Sequence, residues 1–136
     1  MDFDKLIRYR NEKNPFSRRL GVTVDHVSMG RARAVMTVGP EDANPLGYAH
    51  GGVYFTLADI ACGTAASTHG YQAVTVNGSC NFFRSASPGD VLSAEASEVK
   101  YGRTISVYDV RMTDQHGQLL GSGTFTFYLL DKMLEL

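Results

Sequence analysis

The sequence predicts an α+β domain in which one long, buried helix packs on a curved antiparallel sheet. The first observation behind this prediction is residues 51–66, a run without proline that is rich in alanine and other apolar residues. A helix that is apolar on nearly all sides belongs in the interior of a domain. The second is that the flanking segments resemble strands joined by short turns, which is typical of antiparallel sheets. The length predicts one domain, residues 1–136, with a modest core.

The N-terminal part of the chain predicts a short helical extension. Residues 4–13 fit a helix with a narrow apolar stripe. The stripe consists of Phe3, Leu6 and Ile7. Asn14-Pro15 is expected to end this helix, because the residue before a proline disfavours the helical backbone. We therefore assign residues 1–15 as an N-terminal helical extension of the domain.

A hairpin is predicted after the extension. Its strands are Leu20–Val27 and Arg31–Val38, with a turn at Met29-Gly30. The second strand alternates between apolar and polar residues. Its apolar face consists of Ala32, Ala34, Met36 and Val38. Residues 39–50 are predicted to form a loop, because Gly-Pro and Asn-Pro pairs favour turns.

Four more strands are predicted after the central helix, which is expected to stop near His69-Gly70 because glycine is common at helix C-termini. They are Gln72–Arg84, Val91–Lys100, Arg103–Thr113 and Leu119–Leu130. Short connections predict antiparallel neighbours, so the sheet should contain five to six strands. Small side chains should let the sheet approach the helix closely. They are Ala58, Ala61, Cys62, Gly63, Ala65 and Ala66.

Asp59 is the only charged side chain between Gly51 and Ala66. A carboxylate on a buried helix must be paired, hydrogen-bonded or retained for chemistry, because burying an unsatisfied charge is costly. The helix start at His50-Gly51-Gly52 adds unpaired N–H donors and a partial positive charge, which can hold an anion or a developing oxyanion. A carboxylate and an oxyanion site are the two parts that acyl-group hydrolysis needs.

Composition and motifs argue against several other kinds of function. The net charge of −1 provides no basic field, so no nucleic acid partner is expected. The four histidines lack metal-ligand spacing, and no P-loop, dinucleotide or GxSxG motif occurs, so we expect neither a metal nor a cofactor. The charged N-terminus argues against a secretory signal, and residues 51–66 are too short and too polar for a membrane span. We therefore expect a cytoplasmic protein, with Cys62 and Cys80 reduced.

Three groups of residues carry a resemblance to a known family. The loop from Asn44 to Gly52 contains an asparagine, a glycine and an HGG sequence, and Asp59 follows the histidine by nine residues. Further motifs lie in the strand-rich half. They are Phe83-Arg84, Pro88-Gly89-Asp90, Gly102-Arg103, Gly117-Gln118-Leu119-Leu120 and Gly123-Thr124. With these features, about residues 15–130 resemble the hotdog-fold acyl-CoA thioesterases, specifically the phenylacetate-degradation (PaaI-like) group.

The resemblance implies a hotdog fold and a catalytic site near the helix start. Asp59 would activate water as a general base or attack the thioester carbonyl itself, and the Gly51 N–H would polarise that carbonyl. The remaining catalytic candidates are His50, Asn44 and Thr75. Each of the five catalytic candidates also has a structural alternative. Asp59 could be a hydrogen-bonded aspartate, Gly51 a glycine needed for its backbone angles and His50 a positioning histidine. Asn44 could be an Asn-Pro turn residue and Thr75 an ordinary strand threonine.

The substrate-binding candidates include Gly52 of the HGG sequence, aromatic residues and cations. The aromatic candidates for an acyl tunnel are Phe55, Phe82 and Phe83. Core packing is the alternative for these rings. The cationic candidates for the phosphates of CoA are Arg84, Lys100 and Arg103. Solvated charges at strand ends are the alternative for the cations.

The leading hypothesis is hydrolysis of small aromatic or short- to medium-chain acyl-CoA to the free acid and CoA. The alternatives are a hotdog hydratase or dehydratase that acts on acyl thioesters, and a non-catalytic acyl-CoA-binding protein. Release of free CoA separates the thioesterase from both. The resemblance also implies a homodimer with its sheets joined edge to edge, commonly paired again into a tetramer, and active sites built from both subunits.

Overall fold

One antiparallel sheet and a long central helix make up most of the structure, a computed structural model that describes residues 1–136. The helices are α1 (Phe3–Glu12), α2 (Pro15–Leu20) and α3 (Gly51–Ala66). The strands are β1 (Thr23–Ser28), β2 (Arg31–Thr37), β3 (Tyr71–Phe82), β4 (Val91–Tyr101), β5 (Ile105–Thr113) and β6 (Leu119–Met133). The predicted α+β architecture is confirmed, and all six strands belong to one sheet.

Two helices precede the sheet, where one was predicted within residues 1–15, and α2 takes up Leu20 of the predicted strand Leu20–Val27, which begins only at Thr23. Asp2 caps α1 by accepting a hydrogen bond from the Lys5 N–H at 3.1 Å. Asn14 was expected only to end that helix, yet it also starts α2, because its side chain accepts a hydrogen bond from the Ser17 N–H at 3.3 Å. Pro15 occupies the first turn of α2, where its missing N–H is not needed. The Asn-Pro pair therefore ends one helix and begins the next.

The central helix α3 ends where the sequence predicted. It continues into a short 3-10 turn at Ser67–His69 and stops at Gly70, whose φ of +91° is a left-handed conformation that glycine adopts without strain. No helix in the structure combines the length and the apolar character needed to cross a membrane.

Small side chains on α3 allow close contact with the concave face of the sheet, as predicted. Those with no exposed surface are Ala58, Ala61, Cys62, Ala65 and Ala66. The predicted apolar face of β2 is also buried. Its members are Ala32, Ala34 and Met36, followed by Val38. Bulges in β1, β3 and β4 interrupt the strand registers, and such bulges increase the bending of a sheet.

The strand order is β1-β2-β4-β5-β6-β3, which differs from the predicted chain order at one place. The two strands β3 and β4 are not neighbours, because β3 pairs with β6 and β4 pairs with β2. Residues 83–90 connect them across the start of α3, where the Ala49 N–H donates to the Ala86 carbonyl and the Tyr54 hydroxyl donates to the Arg84 carbonyl. The sheet curves around α3, so this connection reaches β4 over the helix start and no hairpin forms.

One edge of the sheet is covered by a helix side chain and the other is open. The edge formed by β1 is protected, because the Asn11 side chain of α1 bonds both the N–H and the carbonyl of Val24 at 2.8 and 2.9 Å. Strand β3 forms the other edge and pairs only with β6. Along it, Val74 and Val76 are 48% and 55% exposed. A long apolar edge strand with unpaired backbone groups is a template for pairing with another strand.

Candidate active site

Asp59 lies in the middle of α3 and is hydrogen-bonded across to β3. It is half-buried, and its Oδ1 accepts a hydrogen bond from the Thr75 hydroxyl at 2.7 Å. The contact forms because β3 runs antiparallel beside α3, with Thr75 at a bulge in the strand. The structure therefore brings together two residues that the sequence placed 16 positions apart as catalytic candidates.

The titratable neighbours of Asp59 on α3 and β3 are neutral thiols. Burial raises the pKa of the Cys62 thiol and of the Cys80 thiol, and the charge of Asp59 raises both further. No basic side chain lies within 4.0 Å of the carboxylate, since the ion pairs of the chain involve Asp25, Glu95 and Glu98. Asp59 is thus a carboxylate with one hydroxyl donor and no direct ion pair.

The start of α3 provides a free backbone donor. His50 caps the helix, and its Nδ1 accepts a hydrogen bond from the Gly52 N–H at 2.8 Å. A neutral imidazole that accepts at Nδ1 carries its proton on Nε2, so His50 presents an N–H to solvent. The Gly51 N–H donates to no group in the chain, as is typical of a first helical residue. This N–H lies at the positive end of the α3 dipole.

Asn44 organises the loop that leads into α3. Its Oδ1 accepts hydrogen bonds from the N–H groups of Leu46 and Tyr48 at 3.0 and 3.1 Å. The turn role that the Asn-Pro pair suggested is therefore present. The amide NH₂ of Asn44 has no partner in the chain and remains able to donate to a bound molecule.

The two reactive parts of the site are separated within one chain. Gly51 and Asp59 are eight residues apart on one helix, so they lie about 12 Å apart along its axis at 1.5 Å per residue. A reacting carbonyl must lie about 3 Å from both groups. One copy of α3 therefore holds both functional groups but does not direct them at a common atom.

Partly exposed phenylalanines flank both reactive groups. Phe55 is 40% exposed one helical turn before Asp59, and its ring packs on Phe125 with centroids 5.1 Å apart. Phe82 is 46% exposed beside the helix start, with its ring 3.2 Å from the position that a Cβ would occupy at Gly51. These two aromatic candidates lie at the site, and both leave ring surface free for contact with a ligand.

The three cationic candidates lie at opposite ends of the molecule. Arg84 follows β3 near the start of α3, where it donates to the Gln118 side chain at 3.2 Å. Lys100 and Arg103 lie near the turn between β4 and β5, at the far end of α3. Arg103 lines a cavity of about 530 Å³ together with three tyrosines. The tyrosines are Tyr71, Tyr101 and Tyr128. One chain therefore does not bring the three cations together.

The sequence did not single out the residues by which the N-terminal extension approaches the site. Phe16 and Leu20 of α2 line a cavity of about 320 Å³ with His50, Gly52 and Thr56. Arg10 of α1 lies against α3 close to Asp59. A signal for Arg10 was present, because it continues the apolar stripe of α1 at helical spacing and so faces inward.

The largest cavity, about 580 Å³, lies away from these residues. It is on the outer face of the sheet, its lining is mostly polar, and it includes Arg31, Glu95 and Asp109. None of the predicted site residues lines it. Asp59 lies on the other, concave side of the sheet, so cavity size does not locate the site.

Known proteins resemble this chain in sequence and in structure. Residues 46–120 match a family model described as the thioesterase superfamily. The acyl-coenzyme A thioesterase PaaI of Escherichia coli (strain K12) is 32% identical over 104 residues, which are 76% of this chain and 74% of that protein.

Two solved structures extend the comparison. The E. coli PaaI protein aligns with a TM-score of 0.84 at 24% identity, covering 95% of this chain and 99% of that one, which confirms the predicted hotdog fold. A Streptococcus mutans UA159 protein bound to acetyl CoA aligns with a TM-score of 0.80 at 32% identity, covering 84% of this chain and 92% of that one.

Proposed function

The chain belongs to the thioesterase superfamily as a PaaI-like hotdog acyl-CoA thioesterase, and we propose that its substrates are small aromatic or short- to medium-chain acyl-CoA thioesters. The observation that carries the proposal is the Thr75–Asp59 hydrogen bond of 2.7 Å, on a helix whose start offers the unused Gly51 N–H. The streptococcal relative that is bound to acetyl CoA supports the CoA part of the substrate.

In the proposed reaction Asp59 either takes a proton from water, whose oxygen attacks the thioester carbon, or attacks that carbon itself. The Thr75 hydroxyl holds the carboxylate in one orientation by its hydrogen bond. The carbonyl oxygen becomes negative in the transition state and is stabilised by the Gly51 N–H. The C–S bond then breaks, and CoA leaves as the thiolate and takes up a proton. In the general-base route the acid is released directly, whereas in the nucleophilic route water must first hydrolyse the acyl–Asp59 anhydride to give the acid and the free carboxylate.

The separation of Gly51 from Asp59 supports a site that is shared between two copies of the chain. The strand β3 runs antiparallel to α3, so its Phe82 end lies beside Gly51 and Thr75 lies beside Asp59. Pairing of two β3 edges about a two-fold axis would reverse this order in the second copy. Gly51 of one copy would then approach Asp59 of the other.

Thiol release from a panel of acyl-CoAs tests the activity and its range. The panel contains phenylacetyl-CoA, acetyl-CoA and aliphatic acyl-CoAs of increasing length, and free CoA is followed with a thiol reagent. We expect stoichiometric CoA and free acid. Hydration of an enoyl-CoA without thiol release would support the hydratase alternative, and binding without turnover would support a non-catalytic acyl-CoA-binding protein.

We expect the protein to be at least a dimer, and Val76→Lys to break the pairing at the β3 edge and to remove activity. Val76 is 55% exposed on the unpaired β3 edge, where a lysine opposes strand pairing. Val99→Lys is the matched control, because Val99 is 58% exposed on the interior strand β4. Light scattering measures the mass. An active monomer of the unaltered protein would contradict the shared site.

We expect Arg103→Ala to raise KM roughly tenfold while kcat stays nearly constant. A contact to a CoA phosphate binds the substrate and the transition state equally, so its loss weakens both to the same extent. Lys100→Ala and Arg84→Ala should act in the same direction, since antiparallel pairing brings Arg84 of one copy toward the β4–β5 turn of the other. Arg111→Ala, on the outer face of the sheet, is the control. If all three variants keep a normal KM, the CoA phosphates bind elsewhere.

A further inference from the structure

The N-terminal segment approaches α3 through side chains at three places, which follow one another from the end of the helix toward its start. The Met1 side chain lies 3.7 Å from the position of a Cβ at Gly70, at the end of α3. Further along the segment, Arg10 Nη2 lies 3.3 Å from the corresponding position at Gly63. Phe16 and Leu20 then reach the start of the helix, where they share a cavity with Gly52 and Thr56. Asp59 therefore lies between the α3 positions that contact Arg10 and those that contact α2.

One face of α3 forms the floor beneath this segment. Gly52, Thr56, Asp59 and Gly63 are spaced at four, three and four residues, which places them on one side of a helix. Residues four apart on a helix have Cβ positions about 5–6 Å from each other. Because Gly63 has no side chain, the Arg10 guanidinium rests directly against the helix, one turn beyond Asp59.

The Arg10 guanidinium has no hydrogen-bond partner in the chain. Its Nε is fully enclosed and donates to no acceptor, and no carboxylate lies within 4.0 Å of the guanidinium. A half-buried guanidinium with an enclosed Nε and no partner is costly, so its position calls for a compensating negative charge.

The carboxylate on the α3 face that Arg10 contacts is that of Asp59. Burial lowers the pKa of Arg10, while the charge of Asp59, followed by that of Tyr9, opposes this effect. The other titratable groups near Asp59 are the neutral thiols of Cys62 on α3 and Cys80 on β3. Arg10 is thus a cation that rests against α3 one helical turn from Asp59, without a direct ion pair to the carboxylate.

We propose that Arg10, supplied by α1, is a positioning residue for thioester hydrolysis: its fixed positive charge stabilises the ionised Asp59 carboxylate when acyl-CoA displaces water from the groove. This inference rests on the proposed catalytic role of Asp59. It assigns a functional part to the N-terminal extension, which lies outside residues 46–120 that match the family model. The effect is strongest in the enzyme–substrate complex, because a Coulomb interaction increases as water is excluded.

The test compares Arg10→Met, which keeps the length and removes the charge, with Arg10→Lys, which keeps the charge. Arg8→Met is the matched control, because Arg8 is an exposed arginine of the same helix. Carbon-13 NMR of the free protein follows the carboxyl titration of Asp59, assigned with Asp59→Asn. Separately, kcat and KM are measured across the acid range with the best acyl-CoA of the panel.

We expect Arg10→Met to move both the Asp59 titration and the acid limb of kcat to higher pH. We also expect kcat to fall roughly tenfold on the acid side while KM changes little. Arg10→Lys should restore most of the loss, and Arg8→Met should change nothing. Arg10→Met should also fold, because Arg10 is only half-buried and methionine keeps most of its apolar contacts with α3; Arg10→Gln replaces it in the same measurements if it does not.

An Asp59 titration that is the same in the neutral variant and in the unaltered protein would overturn the inference. So would a loss of kcat that is uniform in pH and not rescued by lysine, because that pattern indicates a packing role. The NMR titration needs no turnover. If the unaltered protein hydrolyses no acyl-CoA, the proposed function fails and Arg10 has no part in it, while the titration still decides whether the Arg10 charge stabilises the ionised Asp59.

Discussion

Asp59→Asn should reduce kcat for acyl-CoA hydrolysis by roughly 10²–10⁴, the loss expected when a general base is removed. Asparagine has nearly the same shape, and its Oδ1 can still accept the Thr75 hydrogen bond of 2.7 Å. The substitution therefore removes the charge and leaves the contact. Binding of CoA and the folded state should survive. The rate of thiol release from acyl-CoA, measured together with CoA binding on the same variant, checks the result.

The chain offers a close control for this variant. Asp109 also accepts a hydrogen bond from a threonine hydroxyl, that of Thr124 at 3.0 Å, but it lies on the outer face of the sheet. Asp109→Asn should keep full activity.

Activity of the unaltered protein should fall on acidification, because the Asp59 carboxylate must be ionised to act as base or nucleophile. If Asp59→Asn turns over at a near-normal rate, Asp59 is structural.

Gly51→Pro should lower kcat by roughly 10²–10³, the range found when one oxyanion donor is lost. Proline removes the backbone N–H and is favoured at the first position of a helix. The preceding residue, His50, has φ −61° and ψ 142°, an extended conformation that proline tolerates in its predecessor. The variant should therefore fold, and circular dichroism with steady-state kinetics measures both consequences.

Gly51→Ala separates the donor from the added bulk. Alanine keeps the N–H and adds the Cβ that approaches the Phe82 ring at 3.2 Å, a contact that this exposed ring can relieve by moving. Gly51→Ala should retain most of the activity. Equal losses in the alanine and proline variants would mean that space beside Phe82, and not the N–H, is what the reaction requires.

Local patterns were sufficient for most elements of the fold. The apolar run 51–66 predicted α3, and the alternation in β2 predicted which face is buried. The position of β3 was not predictable from such patterns, since residues 83–90 are short enough for a hairpin. They instead cross the start of α3 through hydrogen bonds to Ala49 and Tyr54, which are contacts between distant parts of the chain.

The candidate site shows the same limit. Asp59 stood out because it is a charge on an apolar helix, and Gly51 because it begins that helix. The contact of Asp59 with Thr75 came from the resemblance, since it depends on how β3 lies beside α3. The approach of Arg10 to Asp59 depends on how α1 crosses α3, and no short-range pattern encodes that crossing.

The N-terminal segment places the side chains that shape the cavity at the helix start apart from the groups proposed to react. The groups proposed to react lie within residues 46–120, which match the family model, whereas α1 and α2 lie before them. Exchange of Phe16 or Leu20 would reshape the cavity at the helix start without altering His50 or Asp59. Duplicated copies of such a gene could therefore diverge in acyl preference by changes at Phe16 and Leu20, while Arg10 and the reacting groups are inherited intact.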